Sequence, residues 1–226
     1  MNLDQIVSNS IDGVLKTQLI KEAYVVEPAV FTLPTEKLSD KTKTTRLEHF
    51  DTTVAKLNQI SAELDGASRE DAKSPISSEY RNLKMAESFA INDAFLQGEF
   101  LANVADQQSS ITMDMLCFMR LTRDFGTFDA WQKDFIAAAM SSRHGYAVTA
   151  YSIFLRRYIN FIIDDANVGV PFGAYPVIVL DVSEGCYYKD YLGNREAYVQ
   201  NMMREFNWRE IEGRFKKSDK IAKVTK

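Results

Sequence analysis

The sequence predicts an α+β protein, an antiparallel helical hairpin followed by a lobe of helices around a three-stranded antiparallel sheet. Three observations predict it. Two long stretches with apolar residues at helical spacing flank a polar loop in the first half of the chain. Three short β-type runs then fall close together between residues 146 and 182, separated by turn-rich segments. Helical spacing returns after them. At 226 residues the chain is long enough for two lobes and a sizeable core.

The elements follow in order. Residues 1–22 place Leu3, Ile6, Val7, Ile11, Val14, Leu15 and Leu19 on one helical stripe. Asp4, Asp12 and Glu22 set this segment apart from an Arg-rich transit peptide, so an amphipathic helix docking on its own core or on a partner is expected. "EPAVFTLPTEKLSDKT" (27–42), with two prolines, reads as an extended connector. Helix is predicted from about Lys41 to Leu64, with Leu47, Phe50, Val54, Leu57 and Ile60 inward. "DGASREDAKSP" (65–75) is a polar loop. A second helix is predicted over Glu79–Ala105, with Leu83, Ala86, Ala90, Phe95 and Leu101 as core positions.

From Thr112 the pattern changes. "TMDMLCFMRLTRDFG" is helical and stops at Gly126, and Thr127 followed by Asp129 caps a helix through Trp131, Phe135 and Ala138. Strands are predicted at 146–155, 158–166 and 175–182, and helices at "NREAYVQNMMREF" and "WREIEGRFKK". The expected division is an N-terminal extension (1–30), a helical hairpin domain (31–106), an α+β domain (107–213) and a basic tail (214–226).

Composition narrows the function. No apolar run approaches the roughly 20 residues that a spanning helix needs, so no membrane span is expected. Cys117 and Cys186 lie far apart without CxxC spacing, which argues against a disulfide framework or a zinc ribbon. The chain has two histidines, His49 and His144, so any mechanism needing three from one chain is excluded by counting. The net charge of −4 divides into +5 over residues 214–226 and −9 over the rest. An acidic body is a poor general surface for nucleic acid. The tail, with Arg214, Lys216, Lys217 and Lys220, is a candidate contact for RNA or an acidic protein, set against the plainer reading of a solvated, frayed end.

One stretch draws attention, "VIVLDVSEGCYYKDYLGN" (177–194), where Asp181 ends an apolar run and Glu184, Cys186, Tyr187 and Tyr188 follow. A lone carboxylate with no histidine or metal beside it has nothing evident to activate as a general base. Cys186 is either a redox thiol or, more in keeping with its setting, buried and inert.

That stretch, together with "FGTFDAWQKDFIAAAMSSRHGYAVTAY", resembles the iron/manganese superoxide dismutase family, over roughly residues 31–215. The resemblance implies the family's fold and a site where three histidines and an aspartate bind iron or manganese. Here Asp181 matches the aspartate. The first histidine position falls on Thr45 or Arg46, the second on Asp93 and the third on Gly185. The family's tryptophan beside the metal matches Ser183, and its gating tyrosine matches Thr53. The expectation is therefore a degenerate member with no cofactor that is not an enzyme. Arg46 or Arg143 is expected to neutralise the carboxylates and to help close the vacated cavity.

The chain is also similar to the dismutase-like proteins of the mitochondrial small ribosomal subunit. That likeness implies a structural role in the mitochondrial matrix among other proteins of a large assembly, with a peripheral rRNA contact through the tail. A respiratory complex or the ATP synthase is the alternative assembly, and an active dismutase the third reading. The N-terminal helix and the tail are expected to be attachment elements. In the family two subunits meet across their sites, and this chain keeps Glu184, Tyr188 and His49 of that face. Gly185 stands where the histidine bound by the other subunit's glutamate should be, so a heterodimer with a second dismutase-like chain is expected rather than a homodimer.

Overall fold

The structure, a computed structural model, describes residues 25–70, 72–104 and 109–225. The expected helix over 1–22 lies outside them. Helix α1 (Asp40–Gly66) starts where the Ser39 side chain accepts a hydrogen bond from the Thr42 N–H. Phe50, Val54, Leu57, Ile60 and Leu64 recur every three or four residues and are buried on one face. Helix α2 (Glu79–Asn103) is capped in the same way by Ser78 and packs along α1 as the predicted hairpin. Its buried face carries Ala90, Ala94, Leu96, Phe100 and Leu101. Phe95, expected in the core, is 47% exposed instead. It follows Ala94 by one position, about 100° around the helix, which carries it off the buried face.

The second lobe begins with α3 (Leu116–Phe125), which stops at Gly126 with φ of 89°, a left-handed conformation that suits glycine. Helix α4 (Phe128–Ser141) is capped by Thr127, as the sequence predicts. Strands β1 (Tyr146–Ser152), β2 (Arg157–Ile163) and β3 (Ala174–Asp181) form an antiparallel sheet in the order β2-β1-β3. The central strand β1 is buried at every residue. The apolar run read as strand to residue 155 turns after Ser152, whose hydroxyl accepts the Leu155 N–H, and leaves Phe154 in solvent. Between sheet and helix, Trp131 donates its indole N–H to Thr149 Oγ1, which in turn donates to Asn160.

Three helices complete the fold: α5 (Glu184–Tyr191), α6 (Arg195–Arg204) and α7 (Trp208–Val224). Helix α5 is absent from the sequence reading. It starts directly after β3, with no side-chain cap and with glycine in its first turn, so neither usual start signal announces it. The expected basic tail is not a separate segment either. Helix α7 runs through residue 214, and Arg214, Phe215 and Ser218 face the core. Phe215 stacks on Tyr158, and the Tyr158 hydroxyl bonds Ser218. Those alternating inward residues make the last turns part of the fold, not a solvated end.

Candidate functional site

The strand β3 ends by delivering Asp181 to the junction of the two lobes, where it is 2% exposed. Its carboxylate is occupied on both oxygens. Oδ2 accepts from Arg46 Nη1 at 2.8 Å, and Oδ1 accepts from the Ser183 N–H at 2.8 Å. Arg46 comes from α1 and Asp181 from β3, so the pair also ties the hairpin to the sheet. Thr45 points elsewhere. Its hydroxyl donates to the Lys41 carbonyl and accepts from Lys189 at the surface. Of the two candidates for the first ligand position, Arg46 is the one directed inward.

Burial disfavours the charge on Arg46, but the pull of Asp181 outweighs it and the guanidinium pKa is raised. Its Nε is buried and has no hydrogen-bond partner among the described residues. Gly185 explains how the guanidinium fits. A Cβ built there would lie 3.2 Å from Arg46 Nη2, so a side chain at 185 would crowd the arginine. Arg143, the other expected neutraliser, sits 3.9 Å from Asp164 at the surface.

Asp93 on α2 accepts a hydrogen bond from the Tyr146 hydroxyl at 3.3 Å. The Tyr146 phenol is pushed well above its ordinary range by burial, then by Asp181 and Asp93, so it stays a neutral donor. Tyr146 escaped the sequence reading, although it faces Asp181 directly in the β1–β3 register. Thr53, at the gating position, accepts from Gln97 in a buried pair between the hairpin helices. Gln97 was missed too, because a polar residue on a helix gives no sign that it faces inward.

Arg46, Asp181, Asp93, Tyr146 and Thr53 line a cleft of about 570 Å³, together with His49, Lys56, His144 and Asp165. Both histidines of the chain thus face the same space. The expected closing of the cavity is only half realised: the arginine is there, but the space beside it is open. The cleft does not suit a redox metal held by histidine. Among the described residues no three His, Cys, Asp or Glu side chains come together in a ligand set. Asp181 is covered by a guanidinium, and a metal cation there would meet the positive charge of Arg46 at close range.

The remaining candidates separate into two groups. His49, Glu184 and Tyr188 are exposed in the single chain, and Glu184 has no ion-pair partner among the described residues. Arg214 is a correction. Expected as a partner contact, it is 3% exposed and pairs with Glu99 at 2.8 Å and with the Asn103 side chain. Lys216 lies 3.4 Å from Glu212, while Lys217 and Lys220 are exposed. Cys186 is fully buried, and burial, with Asp181 next, drives its thiol pKa upward, so the thiol is not activated. Burial and Glu212 push Cys117 up to about 12.

Comparison with known proteins adds relatives to this geometry. A family profile described as iron/manganese superoxide dismutases, C-terminal domain, matches residues 116–214. The iron superoxide dismutase of Aquifex aeolicus is 31% identical over 181 residues, covering 79% of this chain and 84% of that protein. The iron superoxide dismutase of Aquifex pyrophilus matches to the same extent. A manganese superoxide dismutase of Haloferax volcanii is 32% identical over 99 residues, 44% of this chain and 49% of its own. These matches overturn the expectation that the chain is not an enzyme, because the proteins it resembles over most of its length are named as enzymes.

Proposed function

Because the chain belongs to the iron/manganese superoxide dismutase family, we propose its function from the point where its residues depart from that family, the Arg46–Asp181 pair. We infer a structural role in a large mitochondrial assembly, the small subunit of the mitochondrial ribosome, with the protein located in the matrix. The observation that carries this reading is that the site's one surviving ligand joins the lobes through a buried ion pair. The likeness to the dismutase-like proteins of that subunit, set out above, supplies the assembly. A respiratory complex or the ATP synthase is the alternative host. Among the described residues no helix is long and apolar enough to cross a membrane.

The proposed partner is a second dismutase-like chain, seated on the face with His49, Glu184 and Tyr188. The guanidinium of Arg46 lies 3.2 Å from where a side chain at 185 would begin, so a second copy of this chain presents a cation near the position of the family's histidine. Charge at this face therefore does not separate a homodimer from a heterodimer, and either would seat a dismutase-like partner there. Of the basic residues, Lys217 and Lys220 are left to contact rRNA or acidic protein at the periphery.

Sedimentation of the native protein tests the assembly. Migration with the small-subunit rRNA, retained when ribosomes are dissociated into their subunits, is the expected outcome. Migration with a membrane complex transfers the role to that host, and migration as a free dimer overturns it. A second reading, superoxide dismutase activity, is favoured by the relatives. Metal analysis of the native protein with a superoxide turnover assay decides that reading: stoichiometric iron or manganese with turnover establishes it.

A further inference from the structure

The hairpin has two faces. One lines the cleft beside Asp181, and the other carries a separate apolar groove of about 550 Å³. Phe50, Val54 and Leu57 of α1 form the buried floor of this groove, and Ile91 and Phe95 of α2 stand on its side. Ile91 is 49% exposed and Phe95 47% exposed, although both lie well inside a long helix. Apolar surface left open in this way is what an amphipathic helix covers.

The chain enters the described structure at this groove. Val26 belongs to its lining and is pinned there by Asn58, which accepts the Val26 N–H at 2.9 Å and donates to the Val26 carbonyl at 3.0 Å. The residues before Val25 lie outside the described structure, but their sequence places seven apolar side chains, from Leu3 to Leu19, on one helical stripe. A helix over 3–19 would be about 25 Å long, shorter than the roughly 37 Å of α2, so it fits along the hairpin without overhang. The few residues between Leu19 and the pinned Val26 keep any such helix close to the groove, at high effective concentration.

We propose that residues 3–19 dock as an amphipathic helix in the groove between α1 and α2, as a third helix of the hairpin lobe. The apolar stripe then serves the fold of the chain itself and is not a free attachment element. This choice of occupant rests on tethering, which favours the chain's own segment over a second copy or another protein at any ordinary concentration.

Amide hydrogen exchange on the isolated full-length chain tests this. Amides of residues 3–19 are expected to be protected equally at low and high protein concentration. Phe95→Lys and Ile91→Lys, each at a partly exposed position that leaves the core intact, are expected to lower that protection about tenfold or more while α1 and α2 stay protected. Protection that rises with concentration assigns the groove to a second copy and overturns the proposal. Absence of protection in the isolated chain, or protection that survives both substitutions, also overturns it.

Discussion

Two arginines, one buried and one partly buried, join the lobes of this molecule, and they do so differently. Arg214 reaches from α7 to α2 and uses its donors fully: the Glu99 carboxylate, the Glu99 carbonyl and the Asn103 side chain all accept from it. Asn103 passes the connection on by donating to the Val179 carbonyl of β3. Arg46 reaches from α1 to Asp181 beside an open cleft, and its Nε lacks a partner among the described residues. The charges respond accordingly. Burial dominates at the first pair, lowering the pKa of Arg214 and raising that of Glu99. At the second, the pull of Asp181 overcomes burial and holds Arg46 charged. A fully paired cation marks a residue recruited to hold lobes together. A partly paired one at a cleft wall leaves part of its guanidinium without a partner among the described residues.

The largest effect that would sharpen this contrast is at Arg214. Arg214→Ala leaves Glu99 and Asn103 facing each other without their cation, and breaking a buried pair of this kind costs about 3–5 kcal/mol. Denaturant unfolding is expected to show a loss in that range. Arg46→Ala is expected to cost less, about 1–3 kcal/mol, because Asp181 keeps the Ser183 N–H and gains access to water through the cleft. Equal losses at the two positions would break the distinction drawn above.

These two arginines also show how far the sequence could be read. Arg46 and Asp181 were legible because strings around them match a known pattern, and a missing histidine is visible by position. Which of Thr45 and Arg46 turns inward was not legible, since a one-residue shift on a helix swings a side chain by about 100° and needs a register to decide it. Arg214 was misread for a physical reason. Six basic residues near the end of a chain look like a solvated tail, and only the three-dimensional position of Glu99 and Asn103, more than a hundred residues away, shows that one of them is buried. The strand positions were clear from their β-branched and aromatic runs. Helix α5 was not, because it has neither a cap nor a linker before it.

The next effect concerns Gly185 and is best measured as a coupling. Gly185→Ala brings a methyl to 3.2 Å from Arg46 Nη2, and the end of a flexible side chain can give way by that much. The gain in helix propensity in the first turn of α5 offsets the crowding, so the single substitution is expected to change stability by less than about 1 kcal/mol. In an Arg46→Ala background the crowding is gone, and the same substitution is expected to stabilise by roughly 0.5–1 kcal/mol. A double-mutant cycle with no coupling would mean that the glycine does not make room for the arginine.

The smallest expected effect is in acid, where each arginine region has a carboxylate that anchors a helix start. Near Arg46, Asp190 of α5 accepts the Ser39 N–H at the start of α1. Near Arg214, Glu212 of α7 accepts the Cys117 N–H at the start of α3. Burial works to raise both carboxyl pKa values, but the hydrogen bonds they accept prevail and both are lowered. A lowered folded pKa gives stability that is fully present above the unfolded value of about 4 and is lost as the pH falls through the folded one. Both groups are near the surface, so solvent screening limits each to a few tenths of a kcal/mol. Unfolding midpoints measured from pH 7 downward are therefore expected to decline below about pH 4. Asp190→Asn and Glu212→Gln should each flatten part of that decline. If the decline keeps its full slope in the double variant, the acid sensitivity lies elsewhere.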